Sequence, residues 1–115
     1  MSTTVYLIVS IDTECDKTSD WSVRHPLTFR AVTSAIPDTL TPLFADYGIK
    51  PTYLLSPEVL ADRESVRVLR ALSHCELGTH LHGEFIEPQA DYNAARTNMP
   101  QLDYSPEIER QKLTN

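Results

Sequence analysis

Two short clusters in this 115-residue chain carry residue types that do chemistry: Asp12-Thr13-Glu14 and His80-Leu81-His82-Gly83-Glu84. Each directly follows a stretch that reads as a β-strand. In extended backbone, residues two apart point to the same side, so Asp12 and Glu14 share one direction and His80 and His82 share one direction. Two imidazoles with one carboxylate are a standard ligand set for a catalytic divalent metal, and they leave a position open for water. Such a metal lowers the pKa of that water toward roughly 7, and a second carboxylate can take its proton. This chemistry suits hydrolysis of an amide or an ester. Each pair alone also has a plain structural reading. Asp-x-Glu after a strand can cap a turn or stand solvated in a loop, and His-x-His occurs without a metal.

The elements around the clusters decide whether they meet. Residues 4–11, TVYLIVSI, are almost continuously apolar and β-branched, which predicts a buried parallel strand. The polar stretch from Asp12 to Pro26 has no periodicity and reads as a loop at that strand's carboxyl end. Ile36, Leu40, Leu43, Phe44 and Tyr47 recur at helical spacing and read as a core-facing stripe, with Pro37 in the first turn and Gly48 as the stop. A second strand is expected over 51–55. Asp62 can cap a second helix with Val66, Leu69 and Leu72 inside, and a third strand is expected from Cys75 to Thr79. Residues 83–104 look irregular, and Ser105-Pro106 opens a further helix. Strands alternating with helices imply a parallel sheet with right-handed crossovers, and parallel sheets carry their chemistry at the carboxyl ends. Both clusters then fall on one rim.

Composition removes several function classes. The net charge is −6, and the ten basic residues are scattered, which excludes the clustered Lys and Arg needed to bind nucleic acid or an anionic membrane. No apolar run reaches the roughly 18 residues of a membrane span. Two cysteines, Cys15 and Cys75, are too few for a disulfide framework and read as reduced thiols. With no leader segment apparent, the expected location is cytoplasmic.

The motifs carry a family resemblance. VSIDTE at 9–14 resembles the first motif of the polysaccharide deacetylase family (NodB homology, carbohydrate esterase 4), and ELGTHLHGE at 76–84 resembles its second, metal-binding motif. IPDTLTPLFADYGIKPTYLL at 36–55 is similar to the helix-to-strand segment between them, and SPEIERQKL near the end is similar to a later helix of one subgroup. The resemblance implies an α/β fold that is part of a (β/α) barrel. It implies removal of acetyl groups from N-acetylglucosamine-containing polymers, or hydrolysis of related C–N bonds in small amides. By the same resemblance Asp12 is the base and His80 the first histidine ligand. The family's metal-binding Asp beside the base is replaced here by Thr13, so Glu14 is the expected carboxylate ligand. The commonest spacing of the second histidine would fall on Glu84; this chain offers His82, with Glu84 as the substitute. Zinc is the expected metal, although nickel, cobalt and iron suit the same donors.

The family's arginine motif and its late general-acid histidine are not found, and no histidine follows His82. Residues 1–115 therefore read as one incomplete domain, truncated at the C-terminus, with weak turnover expected. Its expected partners are an acetylated carbohydrate or small amide substrate, and other chains through open sheet edges. A small-amide hydrolase of the allantoinase-like branch and a non-catalytic metal- or glycan-binding module are the competing readings. His25 and His74 read as structural or surface residues, Trp21 could stack on a sugar ring but reads first as an exposed loop aromatic, and Cys15 would need a nearby base and a lowered pKa to act as a nucleophile.

Overall fold

The computed structural model describes residues 3–88 and 104–115. Three parallel strands form one open sheet in the order β1 (Ser10–Thr13), β2 (Thr52–Leu55), β3 (Glu76–Thr79). Ser10, Thr52 and Glu76 stand in register, and so do Thr13, Leu55 and Thr79, so all three strands end at the same level. The expected α/β class with a parallel sheet is found.

The first helix, α1, starts earlier than the apolar stripe indicates. It is π-wound over Ala31–Leu40 and continues as an α-helix over Thr41–Asp46. Pro37 therefore lies inside the helix rather than in its first turn. A proline has no N–H to donate and its ring crowds the carbonyl four residues back, so regular α-winding fails there. The wider turn lets Thr41 donate both its N–H and its hydroxyl to the Ile36 carbonyl. Gly48 does stop the helix. Its φ of 64° is the left-handed conformation, and Gly48 N–H to Ala45 O with Ile49 N–H to Phe44 O closes the end.

Asp16 caps the other end of α1 from the loop after β1, accepting from the N–H groups of Arg30 (2.8 Å) and Ala31 (2.9 Å). A short helix, α2 (Pro57–Ala61), was not legible in the sequence. It runs into α3 (Arg63–Ala71), where Asp62 caps by accepting from Ser65 N–H, as its position predicts. Ser105 likewise caps α4 (Pro106–Thr114).

One face of the sheet is covered. Tyr53 and Leu55 pack with Val32 and Ile36 of α1, Val59 of α2 and Leu69 of α3, and Ile11, Phe29, Leu40 and Leu72 close in around them. The core departs from the expected one in two places. Leu43 and Tyr47 are exposed, whereas Ile36 and Leu40 of the expected stripe pack inward, and the stripe extends back to Val32. The apolar run 4–11 is not a buried strand: Val5, Tyr6, Leu7 and Ile8 are 78% to 86% exposed and pairing starts only at Ser10. The reason is geometric. Helix α1 runs to Asp46 and its closing turn uses residues 47–49, so β2 has almost no length in front of Thr52 to meet the start of the run. By the alternation of the pleat, even-numbered positions of the strands form the opposite face, which no helix covers among the described residues.

A candidate metal centre at the strand ends

Backbone hydrogen bonds carry the sheet past its last formal rungs. Ser56 N–H and its hydroxyl both donate to Thr13 O at 3.0 Å, and His80 N–H donates to Leu55 O at 2.8 Å. These bonds hold the chain extended as it leaves β1 and β3. Glu14 and His80 thereby continue the rows of the uncovered face. On the other side of the chain Thr13 and Cys15 are buried, as the period of two requires.

Glu14, His80 and His82 meet at one point. His82 Nε2 lies 2.9 Å from Glu14 Oε1 and 2.9 Å from His80 Nε2, and His80 Nε2 lies 3.4 Å from the same Glu14 oxygen. One donor atom from each residue falls within 4.8 Å of the others, a grouping able to hold a metal ion. Neighbouring ligand atoms of a tetrahedral site with bonds near 2.0–2.1 Å are separated by about 3.3 Å, so the three donors need only spread by a few tenths of an ångström. The side chains are half-buried, which screens them only partly from water.

The remaining partners fix the orientation of these ligands. Glu84 Oε1 lies 2.8 Å from His82 Nδ1, a contact in which Nδ1–H donates to the carboxylate, and this turns Nε2 toward Glu14 and His80. Two imidazole nitrogens then face one carboxylate oxygen, a set of acceptors that needs a proton or a cation between them. This is the chemical fit to a metal. Lys17 Nζ pairs with the other Glu14 oxygen at 3.0 Å. Asp12, Glu14, Glu58 and Glu84 thus outnumber the nearby ammonium groups of Lys17 and Lys112, an electrostatic balance that favours a dication.

The pKa directions follow from the same contacts. Burial pushes Glu14 up, but the Lys17 hydrogen bond and the charges of His82 and Lys17 outweigh it and hold the carboxyl below its ordinary value. The hydrogen bond to Glu84 raises His82 against the opposing effect of burial, helped by the charges of Glu84, Glu14 and Glu58. Cys15 is pushed up to about 11, by burial first and then by the charge of Glu58. It is a buried, protonated thiol, and neither it nor Cys75 is in a disulfide.

The four residues singled out by their spacing are therefore together. Asp12 shares the direction of Glu14, with Oδ1 3.8 Å from His80 Nδ1, beyond hydrogen-bonding distance. It is 59% exposed at the side chain and open to solvent. Glu84, the substitute ligand by sequence, stands behind His82 instead of beside Glu14. The spacing gave no signal for Glu58. Its buried carboxylate accepts from Cys15 N–H at 3.0 Å and so pins the backbone next to Glu14. Only the α2 turn brings it there, across 43 positions of sequence.

A cavity of about 750 Å³ opens along β1, between β1 and α1, and reaches Asp12 and Glu14. Trp21 and Arg30 line it. Trp21 is exposed and adopts a left-handed backbone (φ 62°), a conformation uncommon for a bulky residue. His74 lines a separate small cavity with Phe44 and Tyr53 and takes no part in the site. No helix among the described residues is long and apolar enough to cross a membrane. Compared with protein-family models, curated proteins and solved structures, the chain has no match.

Proposed function

We propose that this chain carries the metal-holding half of a metal-dependent hydrolase of the polysaccharide-deacetylase type, acting on the N-acyl bond of an acetylated sugar. The observation that carries the reading is the convergence of Glu14, His80 and His82 from two parallel strand ends, with Asp12 beside them. The open three-stranded parallel sheet, with helices packed on one face, suits a segment of a (β/α) barrel whose remaining strands would extend it. A cavity of about 750 Å³ beside the carboxylates is within the usual range of small-molecule sites, and Trp21 offers a flat apolar face of the kind that sugar rings stack on.

In this reading Glu14, His80 and His82 hold a divalent metal, zinc by the preference of its donors. When bound, it supplies Lewis acidity that acidifies water and polarises the acyl oxygen. Asp12 is placed to accept the proton of the attacking water, since its carboxylate is exposed, points with Glu14 and makes no hydrogen bond among the described residues. Lys17 neutralises the outer oxygen of Glu14 and keeps its inner oxygen directed at the imidazoles. Glu84 fixes the tautomer of His82.

The test is zinc calorimetry on the purified chain with His80→Ala and Glu14→Ala, followed by acetate release from N-acetylglucosamine oligomers with Asp12→Asn as the control. The reading expects one zinc per chain, lost in both ligand variants, and slow acetate release that disappears in Asp12→Asn. Release of ammonia or urea from small ureides, with no acetate from the sugars, would move the substrate to the small-amide class. Zinc binding with no turnover on either substrate would leave a metal-binding module.

A further inference from the structure

The ammonium of Lys112 lies far from the metal ligands in sequence, yet it is tied to the turn that carries them. Lys112 is among the most buried side chains of the described residues, at 2% exposure. A buried lysine is unusual unless every donor is satisfied. Its Nζ donates to the carbonyl oxygens of Gly83 (2.7 Å), Ile86 (2.5 Å) and Pro88 (2.8 Å). Three carbonyls match the three protons of an ammonium. The cation also lies 4.9 Å from the centroid of the Tyr104 ring, just before the cap of the same helix. Asn115 Nδ2 adds a bond to Glu87 O at 2.9 Å. The carboxyl end of α4 thus grips the backbone of residues 83–88 from within.

That backbone is the mount of the His82–Glu84 pair. Gly83 follows His82 directly, and Glu84 sits in the single 3₁₀ turn Gly83–Phe85. This turn has little of its own to hold it: Phe85 N–H to His82 O at 3.1 Å and Ile86 N–H to Gly83 O at 3.2 Å. A short 3₁₀ turn with such bonds is not rigid by itself. The His82 Nδ1 to Glu84 contact needs the two side chains held in register across it. The buried clamp on Gly83, Ile86 and Pro88 supplies that register.

We propose that Lys112 is a positioning residue for the candidate metal centre. By fixing the 83–88 turn, it keeps Glu84 against His82 Nδ1 and so aims His82 Nε2 at Glu14 and His80. The relevance to metal rests on the function proposed above, whereas the aim of the imidazole does not. Lys112 acts on the ligands through the turn that it grips.

Two readouts separate these levels. In the metal-free chain at pH 8.5, the ¹⁵N signals of the His82 ring report which nitrogen is protonated. Lys112→Met, which fills the space without the donors, is expected to lower the share of His82 protonated at Nδ1. Zinc calorimetry is expected to show affinity weakened 10- to 100-fold, the range for loss of an orienting partner. Lys112→Arg keeps a cation but not the compact threefold geometry. It is expected to weaken zinc several-fold with a melting temperature close to that of the parent, which keeps the test decisive if Lys112→Met fails to fold. An unchanged His82 tautomer in a folded variant, or unchanged zinc affinity in both variants, overturns the proposal and leaves Lys112 a purely structural lysine. If the parent chain binds no zinc, the metal reading fails, and the His82 tautomer then decides the positioning role by itself.

Discussion

Replacing Glu84 by Gln asks whether this carboxylate is a ligand or the partner that orients one. The side chain of Glu84 is 7% exposed and its Oε1 lies 2.8 Å from His82 Nδ1, so the contact is a charge-assisted hydrogen bond with little solvent screening. Gln keeps the shape and can still accept from Nδ1 through its amide oxygen, so only the charge is removed. Orienting partners of metal-bound histidines contribute 10- to 100-fold in affinity. With the hydrogen bond retained, Glu84→Gln is expected near the lower end, about tenfold or 1.4 kcal/mol. Glu84→Leu, which removes the acceptor, is expected near a hundredfold. The assay is zinc titration against a competing chelator at pH 8. Loss of all measurable zinc in Glu84→Gln would refute the reasoning by making Glu84 a direct ligand. Affinity within twofold of the parent would refute it in the other direction.

The same variant has a signature in stability. His82 is raised in the folded chain by the Glu84 hydrogen bond first, against burial, so its protonated form is favoured by folding. A raised pKa contributes stability that is fully present below the unfolded value of about 6.5 and is lost as pH rises through the folded value. Metal-free Glu84→Gln is therefore expected to lose stability relative to the parent at pH 5.5 and to match it more closely at pH 8.5.

Four further outcomes follow from the structure. Asp12→Asn is expected to bind zinc within about threefold of the parent while acetate release falls about 10²- to 10⁴-fold, the usual worth of a positioned base, as read by calorimetry and product assay. Asp16→Ala removes the cap of α1 and is expected to cost about 1 kcal/mol, a shift of about 5 °C in thermal unfolding. Burial opposes ionisation of Asp16, but hydrogen bonds from Ala31, Thr28 and Arg30 outweigh it and lower the pKa, so this contribution should be present above about pH 4 and fade as pH falls below it. Leu69→Ala, at a core position 2% exposed, is expected to cost about 2–5 kcal/mol by denaturant unfolding. Leu7→Glu, in the exposed run, is expected to change stability by less than about 0.5 kcal/mol and to reduce self-association in sedimentation; a loss of several kcal/mol would restore the buried-strand reading.

Local chemistry was enough to place much of this protein. Asp62 and Ser105 cap their helices, Gly48 ends α1 and the runs near 51–55 and 75–79 become strands, because caps, left-handed glycines and the short runs between turn signals act over a few residues. The pairing of Asp12 with Glu14 and of His80 with His82 was also legible, since the period of two holds in any extended segment. Their convergence required only that the strands be parallel. What sequence could not give depends on partners remote along the chain. The run at 4–11 reads as core by hydrophobicity, yet burial requires a neighbour, and β2 begins too late to provide one. Pro37 marks a helix start by habit, but the Asp16 cap places the start at Ala31, and the proline is absorbed by π-winding. Glu84 and His82 both look like ligands in the sequence. Only the turn at 83–85, held by Lys112 from 29 positions away, sends one toward Glu14 and the other behind it. Residue type and spacing set which groups could reach a metal, and tertiary packing decided which atom of each group points at it.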